Sequence, residues 1–189
     1  MGIMDQNGAL ATKFKSTKAL GQNRNFDKFG RYLMRLDAVR LGNSFRQGGE
    51  YVAIERTVVR CLEAPPNLPT SYVGEEVVDL LLSTGAAAKV FDQKLKGFLC
   101  AVLNAPAEAI GFEELQACLA EAQPLKNLLI EVNNAPRIVK VKSGAMEERP
   151  QKAYVKGYSF KEAKAILTPE EVAKFYPNGL LDKLVAAEG

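Results

Sequence analysis

Apolar and polar residues alternate through RYLMRLDAVRL (31–41), with Tyr32, Met34, Leu36 and Ala38 on one side and Arg35 and Asp37 on the other. A period of two is that of a half-buried strand. The Gly-rich GNSFRQGGE supplies turn chemistry, and EYVAIERTVVRCLE follows as a second strand with Val52, Ile54, Val58 and Leu62 on one face, so the first unit reads as a β-hairpin. Three prolines in APPNLPTS (64–71) make a loop before YVGEEVVDLLLST, a third strand. The period then changes. In residues 86–103 Val90, Phe91, Leu95, Phe98, Leu99 and Val102 recur at three and four, which predicts an amphipathic helix, and residues 112–122 predict a shorter acidic one that Pro124 ends. LKNLLIEVNN resumes strand, and RIVKVK with KAYVKGYSF completes a second hairpin-like unit. LTPEEVAKF announces a helix with Thr168 as N-cap, Pro169 in the first turn and Glu171 closing a capping box, and GLLDKLVAAEG adds one or two more turns.

The expected class is mainly β with helices, α+β. Five strands with a helical insertion between the third and fourth is the connectivity of an OB-fold, a small Greek-key barrel whose strand face and loops bind oligonucleotides. The expected organisation is a flexible basic arm over 1–30, the OB-fold over 31–165 and a C-terminal helical segment over 166–189. The size of 189 residues, with 47% apolar and 25% charged residues, suits one such domain with an arm.

Charge changes the picture through its distribution. The net charge is only +3, but residues 1–31 carry six cations against two anions and residues 137–164 carry eight against three. Positive potential gathered at two places suits phosphates. The chain has no histidine, which removes the commonest general base and metal ligand, and Cys61, Cys100 and Cys118 lack metal-site spacing, reading instead as small hydrophobes of a reducing compartment. No nucleotide-binding Gly motif is present, and Glu55, Glu63, Glu75, Glu76 and Asp79 read as solvated strand and turn charges rather than a carboxylate pair or Mg²⁺ site. A non-enzymatic protein without cofactor or metal is expected. No apolar run reaches the roughly 18 residues of a spanning helix, so the expected location is the cytoplasm.

The basic and aromatic residues interleaved near the chain's far end are the candidate site. On one strand face Lys140 would join Lys142, and Lys152 would join Lys156, along a phosphate backbone, while Tyr154, Tyr158 and Phe160 share the parity of the second pair and offer rings for base stacking. Arg137 has the other parity. Tyr51, Arg56 and Arg60 on the second strand complete the set, although both arginines share parity with that strand's apolar residues. The bland alternative is a solvated edge strand whose lysines block aggregation.

The succession YLMRLDAVRLGNSFRQGGEYVAIERTVV, VGEEVVDLLL, KGFLCAVLNA, QPLKNLLIEVNN and the basic VKVKSG…KAYVKGYSF hairpin resembles phage-encoded single-stranded-DNA-binding proteins of the OB-fold type, over roughly residues 31–160. The resemblance implies sequence-independent coating of single-stranded DNA in replication or recombination, in the host cytoplasm. It implies no cofactor, and as partners replication or recombination proteins and further copies of the chain. It places binding on the second strand and the 137–160 hairpin. One departure is the nearly neutral LLDKLVAAEG, where such proteins often carry an acidic tail. The other reading is a structural or adaptor protein of a phage, whose basic arm touches nucleic acid incidentally.

Overall fold

The computed structural model describes residues 26, 28–44, 49–65, 72–85 and 88–189. Most of the expected basic arm, the first hairpin tip with Phe45 and Arg46, and much of the proline loop lie outside these residues. Among the described residues the chain forms five antiparallel strands and five α-helices, an α+β architecture. The strands are β1 (Gly30–Ser44), β2 (Gly49–Glu63), β3 (Glu76–Leu82), β4 (Leu129–Lys140) and β5 (Met146–Tyr158). Helix α1 (Ala88–Leu103) and α2 (Phe112–Cys118) lie between β3 and β4, while α3 (Phe160–Ile166), α4 (Pro169–Phe175) and α5 (Leu180–Ala187) follow β5. None of these helices is long and apolar enough to cross a membrane.

The sheet order is β3-β2-β1-β4-β5, so β1 is central and β3 and β5 are the edges. No backbone ladder joins β3 to β5 among the described residues, and the sheet is not closed. One apolar cluster fills its inner face, with Tyr32, Met34 and Leu36 from β1, Val52, Ile54 and Val58 from β2, and Ile130 and Val132 from β4. Helix α1 covers this face with Leu95, Phe98, Leu99 and Val102, whose three-and-four spacing is why the segment is helical. Phe26, from the expected arm, belongs to the same core and meets Tyr32 edge-on at 4.8 Å, so the ordered body begins earlier than Arg31.

A second cluster occupies the outer face, where Leu33, Val59 and Leu129 receive Ala163, Leu167, Phe175, Tyr176 and Leu181 of the C-terminal helices. The Thr168–Glu171 capping box forms as expected. Ser159 and Glu162 form another, which starts α3 where strand was expected to continue to Phe160. The Glu188 carboxylate accepts from the amides of Phe160 (2.7 Å) and Lys161 (3.1 Å), returning the end of the chain to the start of α3.

Bulges correct several one-face readings. Register shifts at Asp37, Val59 and Leu62 each invert the alternation downstream. Ala38 therefore faces away from Tyr32 and pairs with Glu55, while Val39 takes the core position opposite Ile54, and Leu62 is exposed. Val90, expected on the apolar stripe of α1, is exposed as well. The fourth strand is longer than expected, because LIEVNN and RIVK are one continuous strand rather than a strand and a separate hairpin arm.

Gly157 sets the approach of α1 to β5. A Cβ there would lie 2.4 Å from the Val102 carbonyl oxygen and 2.9 Å from its Cα, inside the helix backbone. Asn104 adds a hydrogen bond of 2.9 Å from its amide to the Gly157 carbonyl. Gly157→Ala should therefore push α1 from the sheet and cost about 1–3 kcal/mol, as overpacking does. Urea denaturation measures this, and an unchanged midpoint would contradict the close approach.

Candidate nucleic-acid interface

Beyond Asn134, β4 has no strand partner but β5 among the described residues, because pairing with β1 stops there. Residues 135–151 are thus a two-stranded ribbon projecting past the core, exposed at nearly every position. Arg137, Lys140 and Lys142 lie on it, exposed and with no ion-pair partner among the described residues, whereas Arg149 pairs with Glu147 at 2.9 Å. Ile138 and Met146 are 66% and 64% exposed and share a face with Lys140, since Ile138 pairs with Glu148 and Lys140 with Met146. At the base of the ribbon Pro136 stands opposite Pro150. Neither has an amide hydrogen, so that rung carries no hydrogen bond.

The rest of the candidate set lies elsewhere. A register shift between Glu131 and Val132 leaves Val155 as an extra residue on β5, and parity flips there. Lys152 and Tyr154 point to the inner face, Lys156 and Tyr158 to the outer one, which corrects the expectation that all four share a groove. Tyr158 donates to Glu131 at 3.0 Å and packs on the C-terminal helices together with Phe160. The Lys156 ammonium sits 4.7 Å over the Tyr158 ring and 2.9 Å from Glu162, so that ring already has a cation on it. Arg60 holds α4 through Glu171 (2.7 Å) and the end of α3 through the Ile166 carbonyl (3.0 Å). Tyr51 is half-buried with its ring over Gly42, where a Cβ would meet it at 2.5 Å.

Arg56, Lys152 and Tyr154 meet at a residue expected to be solvated: Asp79 of β3. Arg56 is fully buried and donates to Asp79, Lys152 donates to its other oxygen, and the Tyr154 hydroxyl donates at 2.7 Å. Arg56 also reaches the Met34 sulfur at 3.3 Å and lies 5.6 Å from the Tyr154 ring centre, and that ring meets Phe98 of α1 at 4.9 Å. Arg56 is therefore an interior group, and Tyr154 is half-buried beneath α1 rather than an open stacking surface. Burial pushes the Asp79 carboxyl up, but Arg56, Lys152 and the Tyr154 hydroxyl together outweigh it and hold the group below its usual range. Burial also pushes Lys152 down, Arg56 adds to this, and Asp79 only partly restores it, leaving the ammonium at about 8. Burial raises the Tyr154 phenol well above its ordinary value.

Together these side chains clasp β3 to β5 where the backbone does not. Asp79 was detectable in the sequence, because it shares the parity of Val77 and Leu81, both buried. An acid on the apolar side of one strand and an arginine on the apolar side of its neighbour announce a buried pair. No family model matches the chain, and no curated protein is significantly similar to it.

One carboxylate facing two cations makes the partners unequal. Asp79→Asn should cost about 3–5 kcal/mol, since it leaves Arg56 buried without a counter-charge, while Lys152→Met should leave stability unchanged or higher. Lys152 titrates at about 8 in the folded protein against 10.5 for an unperturbed lysine. The unfolded chain thus binds more protons between those values, and stability should rise with pH across that window in the wild type but not in Lys152→Met. Urea titrations at several pH values test both statements, and an equal loss in the two variants would overturn the assignment.

Proposed function

We propose that this chain binds single-stranded DNA without sequence preference, through the β4–β5 ribbon, as a non-enzymatic protein of phage replication or recombination. The observation that carries the reading is the set of three cations without an ion-pair partner among the described residues, Arg137, Lys140 and Lys142, on a ribbon that leaves the core. Uncompensated cations beside a strand face are what a phosphate backbone recruits, and their charge supplies affinity independent of sequence. With the half-buried Tyr154 and Tyr158 rings already engaged by Phe98 and Lys156, preference for unpaired bases rests on Ile138 and Met146, apolar groups held out in solvent beside Lys140.

The topology supports an OB-fold reading. Joining the two edges of a sheet ordered β3-β2-β1-β4-β5 closes a five-stranded barrel, and the Asp79 clasp bridges the pair of strands that would have to meet. Partly open barrels of this kind bind oligonucleotides on their strands and loops.

Fluorescence anisotropy with a labelled oligonucleotide at two salt concentrations tests the proposal. Single-strand binding loses about 0.7 in log K per decade of salt for each phosphate contact, so replacing Arg137, Lys140 and Lys142 by Ala should weaken binding and flatten the slope by about 2. Absent or salt-insensitive binding would favour the adaptor reading.

A further inference from the structure

At the mouth of the β3–β5 seam the charges do not balance. Arg56 and Lys152 share a single carboxylate, and Lys94 of α1 lies near enough to disfavour the Lys152 charge. These are the charged groups facing Lys152: Asp79 from β3, Arg56 from β2 and Lys94 from α1, with the neutral Tyr154 beside it on β5. Its cross-strand partner on β4, Asn134, is uncharged and engaged with the carbonyls of Phe26 and Lys28. Arg56 is the interior cation, and its Nε has no hydrogen-bond partner among the described residues, so the surplus extends into the core. Lys152 is the cation at the surface, its side chain 23% exposed, while Lys94 is exposed.

We propose that Lys94 and Lys152 form a phosphodiester seat at this mouth, where Lys152 transfers its ammonium from Asp79 to a backbone phosphate of the bound strand. This rests on the single-strand-binding reading and extends it. Asp79 keeps Arg56 and the Tyr154 hydroxyl when Lys152 leaves, so the clasp persists with one cation balanced by one anion. The seat lies below the ribbon base, as Lys152 is two residues from Pro150, so one strand can pass from ribbon to seam. Binding then has a proton attached to it. A lysine that is half neutral at about pH 8 when free must be charged to hold a phosphate, so complex formation takes up a proton.

The experiment is anisotropy of the full chain with a labelled oligo(dA), whose bases do not titrate in this range, at fixed ionic strength from neutral pH upward. The association constant should fall towards about tenfold per pH unit above pH 8 in the wild type. It should be flat in Lys152→Arg, which keeps its charge throughout. Lys94→Ala, on the exposed side of α1, should reduce the salt slope by about 0.7. Independently of any variant, NMR of protein carrying ¹³C-labelled lysine should show the Lys152 titration midpoint rising when saturating oligo(dA) is added. Binding with a flat wild-type pH profile and an unmoved Lys152 midpoint overturns the seat alone. No binding at any pH or salt overturns both the seat and the single-strand reading.

Discussion

With no backbone ladder between β3 and β5, the edges of the sheet are held together by side chains that share the Asp79 carboxylate. Hydrogen bonds and charges inside a protein are strong when satisfied and costly when broken, so a shared anion is a stringent way to join two strands. The position of α1 follows from it. That helix lies across the junction with Phe98 against the Tyr154 ring and Val102 against Gly157, and its apolar stripe is buried only while the two edges stay close. The electrostatics near the ribbon follow too, because the clasp leaves one more cation than it neutralises.

Bulges decide which residues take part. Each inserts one residue and exchanges the two faces of its strand from there on. Val155 separates Tyr154, beneath α1, from Tyr158, beneath the C-terminal helices, though only four positions divide them. Val59 likewise puts Arg60 on the outer face with Leu33, where it holds α4, while Arg56 stays on the inner face. Two apolar layers on opposite sides of one sheet thus draw on the same short stretches of sequence.

Much of the fold was legible in sequence because its signals are local. Thr168, Pro169 and Glu171 specify a helix start within four residues, and Leu95, Phe98, Leu99 and Val102 specify a helical stripe by spacing alone. The face assignments at Ala38 and at Lys156 with Tyr158 were not legible, since a bulge depends on a neighbouring strand that no single segment specifies. The helix at Phe160 was hidden in a basic aromatic run that also suits a strand, although Ser159 and Glu162 carried its cap. For the candidate site, Lys140 and Lys142 were readable as surface cations because they alternate with Val139 and Val141 at the period of a strand, whereas Arg137 has the parity of the valines and carried no such signal. Arg56 and Asp79 carried a readable sign, opposite charges at apolar positions of adjacent strands, but their pairing needed the register of β2 against β3.

The proline pair at the base of the ribbon also shapes its edges. Where Pro136 faces Pro150 the ladder runs on without a register shift, and neither residue has an amide hydrogen to offer outward. A third strand laid along the ribbon at that level would find no donor, which guards this two-stranded projection against edge-to-edge association.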